Sequence, residues 1–260
     1  MTQRHLFNFE AVDPSWRSCI KTALKKVDPH YLENLYENNN WLPGHKTLFN
    51  AFSLPVEKIN YVLFGESPYP RATSANGYAF WDAAVTDLWS STGLSKPVNR
   101  ATSLRNIIKM LLVADGMLDA AQTSQAEIAK LNKEQLVKTG SELFQNFIQR
   151  GFLLLNASLV LQPTEVRKDA LAWRPFIQHV LDFLFQKRPS VCLILFGNIA
   201  NMIDTLIAEY PVKKLYAEHP YNLSFIHNSD VIQFFRPLHL LYTHHKKANN
   251  YNSLQTAQID

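Results

Sequence analysis

A chain of 260 residues, 47% hydrophobic and 12% aromatic, can bury a substantial core and is expected to form one compact globular domain. Its formal charge of +4 permits a nucleic-acid partner without demanding one; the basic stretches VRKDALAWR, KKLYAEH and HHKK all fall in the second half, and such charge runs are more often a solvated face. Two cysteines far apart, Cys19 and Cys192, suggest neither a disulfide framework nor a metal site, and no run approaches the roughly 18 apolar residues of a membrane span.

The first ordered element predicted along the chain is a strand in INYVLFG, residues 59–65. A helix follows over 103–114 (SLRNIIKMLLVA), then a polar segment over 115–139 that reads as a helical excursion with a loop, then a helix over about 140–150. A second strand is GFLLLN, 151–156, and a helix over 173–187 leads to a third, SVCLILFGN, 190–198. A helix over 199–209, with Asn198 as a possible cap, precedes a weaker strand in VKKLYAEHP, 212–220. The tail 244–260 is expected to be poorly ordered, which leaves 1–243 as the domain. With no apolar segment suited to a signal peptide in MTQRHLFNFEAVDPSW, a cytoplasmic protein is the default expectation.

The apolar runs are continuous rather than alternating, so they read as strands covered on both faces. Their order, βαβαβαβ, predicts an α/β fold: a three-layer α/β/α sandwich around a central, mostly parallel four-stranded sheet. In such sheets ligands collect at the carboxyl ends of the strands, so the closing residues matter most. They are Gly65-Glu66-Ser67, Asn156, Gly197-Asn198 and His219-Pro220.

Each closer admits two readings. The Asn156 carboxamide donates and accepts side by side, which matches a nucleobase edge, but it could equally cap the next turn. His219, held extended by the proline after it, could donate to a leaving group that gathers negative charge, or be a loop histidine satisfied by a neighbour. Phe80, in NGYAFWD, could be a stacking platform for a flat base or part of the core.

Taken in order, these pieces resemble the uracil-DNA glycosylase superfamily, and in particular its main monofunctional family. GESPYP (65–70) stands where that family has GQDPYH, and GYAFWD where it has GL-x-FSV. LLLN (153–156) is shared, and HPYNLS (219–224) replaces HPSPLS. LPGHKTLFNAF, ATSLRNIIKML and LAWRPF match the supporting context, so the resemblance spans about 41–243.

The resemblance implies a monomeric enzyme of base-excision repair that binds uracil-containing DNA, single- or double-stranded, and needs no metal or organic cofactor. It flips uracil or a related deaminated base out of the stack and hydrolyses its N-glycosidic bond. By the same resemblance Asn156 reads the base edge, Phe80 stacks on it, and Tyr69 excludes a 5-methyl group. His219 steadies the departing base. Leu223 fills the hole left by flipping, and Ser103 and Ser224 contact phosphates. Arg71, Arg167 and Lys168 could add electrostatic attraction.

The sequence departs from the family where its chemistry is centred. The family's catalytic aspartate falls at Ser67, and its preceding glutamine is Glu66. Related iron-sulfur glycosylases read GEAPG and use the glutamate at this second place, which implies Glu66 as the group that stabilises the sugar cation or orients water, with Ser67 beside it. Pro70 and Tyr221 replace a histidine and a phosphate-contacting serine. Two other readings stay open: a catalytically silent homologue that binds DNA or a protein partner, and a glycosylase for another lesion.

Overall fold

In a computed structural model of the chain, which describes residues 7–38, 40–208 and 210–243, each apolar run forms a strand. They are β1 (Tyr61–Gly65), β2 (Phe152–Asn156) and β3 (Cys192–Phe196), and the weaker fourth run forms β4 (Lys213–Ala217). All four are parallel, in the spatial order β2-β1-β3-β4. From β1 the chain crosses outward to β2 and then returns past β1 to β3, so the connection reverses direction between β1 and β3. A crevice opens at such a point above the strand ends.

Successive side chains point to opposite faces, and both faces are apolar. Val62, Phe64, Leu153, Leu155, Leu193 and Leu195 join one core, with Trp16 and Ile20 of helix Pro14–Leu24 and Phe176 and Val180 of helix Arg174–Lys187. Leu63, Phe152, Leu154, Ile194 and Phe196 join the other, beneath helices Thr102–Ala114, Gly140–Gln149 and Ser229–Phe235. The result is the expected three-layer α/β/α sandwich. The polar segment 115–139 holds one short helix, Gln125–Lys130, and otherwise loops.

Two details differ from expectation. The helix after β3 spans Ile199–Leu206, but Asn198 does not cap it: its backbone is helical (φ −67°, ψ −16°) and its side chain makes no capping hydrogen bond. Gly197, at φ +75°, makes the turn instead. The N-terminal 40 residues, which periodicity left unassigned, contain helices Pro14–Leu24 and Pro29–Glu37. Each starts at an Asp-Pro pair: Asp13 accepts from Ser15 N at 2.9 Å and Asp28 from Tyr31 N at 2.8 Å, with proline at the first helical position. The tail expected at 244–260 lies outside the described residues.

Candidate active site

Asn156 ends β2 directly opposite Gly65, which ends β1. A side chain at Gly65 has no room, since a Cβ there would lie 2.4 Å from Asn156 Oδ1 and 2.9 Å from Ala79 Cβ. The carboxamide therefore rests on bare backbone. Asn156 is only 3% exposed, yet among the described residues no hydrogen bond to its side chain is made. The buried side-chain atoms without a partner among the described residues are Ser74 Oγ and Asp115 Oδ2, so the Asn156 carboxamide, though largely covered, stays open to the crevice at the strand ends. Beyond the strands, Ala157 N donates to Gly65 O at 2.9 Å and Ser158 N to Glu66 O at 3.0 Å, which ties the two chain exits together. Glu66 is exposed and Ser67 half-buried at the end of β1.

The loop after Ser67 folds back so that Tyr69 Oη donates to Phe80 O at 3.1 Å. Burial, aided by the nearby Asp82 carboxylate, pushes the Tyr69 phenol well above its ordinary pKa, so it stays a neutral donor. Phe80 has φ +61°, a conformation that a bulky side chain rarely adopts. Such strain costs about 1–3 kcal/mol and persists only when surrounding contacts enforce it. Ala79 N, bonded to Leu154 O at 3.1 Å, pins the segment to the sheet from one side, and Tyr69 holds it from the other. Asp82, 1% exposed, accepts from Arg71 Nη2 at 3.0 Å and from Ala84 N at 3.0 Å, and so closes the loop. The Phe80 ring lies 6.1 Å from the His219 ring and 6.4 Å from that of Phe196.

His219 packs on Gly197, where a Cβ would come within 2.8 Å of its own Cβ. Its Nδ1 accepts from Tyr221 N at 3.1 Å, which leaves Nε2 to carry the proton. Burial lowers the His219 pKa below the ordinary histidine value, and the Glu66 carboxylate opposes that shift only in part. At neutral pH the imidazole is uncharged and donates through Nε2.

Sequence reasoning missed what holds this loop. Asn106, fully buried on helix Thr102–Ala114, donates from Nδ2 to Pro220 O at 2.7 Å and reaches Tyr221 O and Asn222 O at 3.4 Å each. A carboxamide among the apolar positions of SLRNIIKMLL was the available signal. It marks a buried group that must find a partner.

The remaining expected residues are spread over several elements. Ser103 is half-buried in the first turn of the same helix, and the short 3₁₀ turn Leu223–His227 packs against that helix. Leu223 stands 65% exposed. Ser224 is exposed, but its hydroxyl is engaged by Glu218: burial would raise that carboxyl's pKa, and hydrogen bonds from Ser224 and from Asn228 Nδ2 at 2.8 Å hold it below the usual range. Of the basic residues, Arg71 is committed to Asp82 and Lys168 pairs with Glu165 at 3.5 Å. Arg167 is exposed. Among the described residues no group of three His, Cys, Asp or Glu is placed to hold a metal ion, and no helix is long and apolar enough to cross a membrane.

No family model matches the chain. Curated relatives do. A protein named uracil-DNA glycosylase from Streptococcus agalactiae is 28% identical over 218 residues, covering 81% of this chain and 84% of its own length. One of the same name from Borreliella burgdorferi is 24% identical over 252 residues, covering 92% and 98%. Among solved structures, mimivirus uracil-DNA glycosylase is similar in fold, with a TM-score of 0.57 at 19% identity over 83% of this chain and 70% of that one. The wild-type UNG of Nitratifractor salsuginis superposes with a TM-score of 0.87 and is 41% identical, covering 92% of this chain and 96% of its own. Identity at that level over nearly the whole of both proteins, on a closely superposing fold, makes this chain a member of the uracil-DNA glycosylase superfamily.

Proposed function

We propose that the chain is a DNA glycosylase that takes uracil, or a related deaminated base, out of DNA and hydrolyses its N-glycosidic bond. The observation that carries this reading is the Asn156 carboxamide, held at the strand ends with no hydrogen-bond partner among the described residues, while Phe80 and His219 lie with ring centroids 6.1 Å apart. An amide held at the strand ends with no partner inside the fold is free to pair with a ligand that offers a donor and an acceptor side by side. The Watson-Crick edge of uracil does so. Phe80 supplies a face for the base, and Tyr69, held to Phe80 O, walls off the space that a 5-methyl group would need.

The chemistry follows from charge placement. As the C–N bond breaks, its electron pair leaves with the base and positive charge develops on the sugar. His219, neutral and donating from Nε2, stabilises the anionic base by a hydrogen bond without first giving up a proton. The Glu66 carboxylate stabilises the sugar cation and orients water, with the Ser67 hydroxyl as a second contact for that water. Water adds to the anomeric carbon and its proton passes to Glu66 and then to solvent, which leaves an abasic site. The base takes its proton from solvent after departure.

At the rim, Leu223 fills the gap left by the flipped nucleotide and offsets an unstacking cost of a few kcal/mol. Ser103 contacts a backbone phosphate; Ser224 does so once released from Glu218. The working unit is one domain, with its motifs over 41–243, acting as a cytoplasmic monomer without metal or organic cofactor. The silent alternative rests on Ser67 alone, and the enzyme names of the relatives give it no support.

The test is single-turnover release of uracil from a labelled oligonucleotide, with wild type beside Asn156→Ala. Release by wild type and a loss of about 10²-fold or more in the variant is expected. Wild type that releases nothing at excess enzyme, or a variant as fast as wild type, overturns the reading.

A further inference from the structure

Among the described residues the two most exposed large apolar side chains lie two positions apart on one loop: Tyr221, 68% exposed, and Leu223, 65% exposed. The backbone beneath Tyr221 is fixed from both sides. Its N–H donates to His219 Nδ1 at 3.1 Å, and its carbonyl lies 3.4 Å from the buried Asn106 amide. One residue on, Asn222 N closes the turn onto His219 O at 2.9 Å. The Tyr221 hydroxyl makes no hydrogen bond among the described residues. A large ring is thus held out in solvent on an anchored turn beside the histidine proposed to act on the departing base.

Resting on the reading above, we infer that Tyr221 is a second DNA-engaging side chain beside Leu223, one that stacks on the base next to the flipped nucleotide. An aromatic ring suits any base, because every base has a π-face, so the contact adds affinity without sequence preference. Tyrosine has few torsions to freeze, and the anchored backbone removes most of the remaining ordering cost. Leu223 occupies the gap while Tyr221 covers the base beside it. The two prongs together replace the stacking that flipping breaks.

The test measures binding to an oligonucleotide carrying 2′-fluoro-deoxyuridine, whose electron-withdrawing fluorine resists glycosidic cleavage, with 2-aminopurine beside it as a fluorescent report of stacking. Tyr221→Ala and Tyr221→Ser are each expected to bind about 5- to 150-fold more weakly than wild type and to lose the stacking signal, and Tyr221→Phe to retain both. All three keep the backbone bond to His219. Ala and Ser variants that bind as tightly as wild type overturn the inference, as does a Phe variant as weak as Ala, which would make the contact a hydroxyl one. Uracil release by wild type on the matching cleavable strand separates the two claims. No release with a Tyr221 effect intact removes the proposed chemistry and leaves the stacking residue; release with no Tyr221 effect does the reverse. Wild type that binds none of the oligonucleotides removes both.

Discussion

Gly65 and Asn156 face each other across the β1–β2 ladder so closely that the Asn156 carboxamide oxygen occupies the space where a Gly65 Cβ would be, 2.4 Å away. The glycine serves to leave a neighbouring strand's side chain where it is. Replacing it displaces the group that the proposed reading places on the base.

Gly65→Ala is therefore expected to lower uracil release by about 10²-fold, the usual scale for a misplacement near 1 Å. Gly65 is not among the glycines with positive φ, so the backbone conformation itself tolerates alanine. Single-turnover rates beside thermal unfolding separate the effects: a rate close to wild type, or a loss of rate explained by unfolding, would sink the steric argument.

The bond from Tyr221 N to His219 Nδ1 sets a pH dependence. A protonated imidazole would turn a donor toward that N–H, and burial already lowers the His219 pKa below 6.5 with Glu66 only partly opposing. The unfolded chain then binds the proton at higher pH than the folded one. This group's contribution to stability is present above 6.5 and is lost as pH falls from there through the folded value. Uracil release should likewise hold at neutral pH and fall in acid. A His219→Gln variant should be slower and lack that acid limb, and a wild-type rate that rose on acidification would point to an imidazolium instead.

Asn106 acts through the loop rather than on the substrate, as a positioning residue. Asn106→Leu keeps the volume but leaves Pro220 O without its donor at 2.7 Å, a cost of about 1–3 kcal/mol. For a chain of this size that is roughly 2–4 °C of Tm per kcal/mol. If the bond also sets His219, kcat should fall more than KM rises and the acid limb of the pH profile should move. A lower Tm with an unmoved profile would reduce Asn106 to a purely structural role.

Glu66→Gln is expected to slow uracil release by about 10²- to 10⁴-fold, the range for losing an acid-base group. Adding Ser67→Asp to that variant should recover much of the loss, because a carboxylate then returns one position along the same bend. A single variant as fast as wild type would exclude Glu66 from the chemistry. A double variant no faster than the single would show that position 67 cannot replace it.

The sheet was legible because its determinants are local. INYVLFG, GFLLLN and SVCLILFG are short, continuous and apolar, and such runs are stable only when covered on both faces, as Val62 and Leu63 are in opposite cores. Strand ends then located Glu66, Asn156 and His219, and the ordered motifs joined them to Tyr69, Phe80 and the rim. The N-terminal helices were as local but carried another signal, Asp-Pro caps at 13–14 and 28–29 rather than periodicity.

Tertiary structure alone decided the rest. No neighbour in sequence makes a phenylalanine adopt φ +61°; the bonds from Ala79 N to Leu154 O and from Tyr69 Oη to Phe80 O enforce it from 75 and 11 residues away. Nor can a helical pattern say that Asn106 holds carbonyls 114 to 116 residues on, or that Ser224 is engaged by Glu218. The sequence by itself determined which groups reach the strand ends, since apolar runs and their breaks are encoded residue by residue. Which of those groups are unpaired, neutral or strained depends on partners brought close only by folding, because burial and hydrogen bonding are properties of the packed environment.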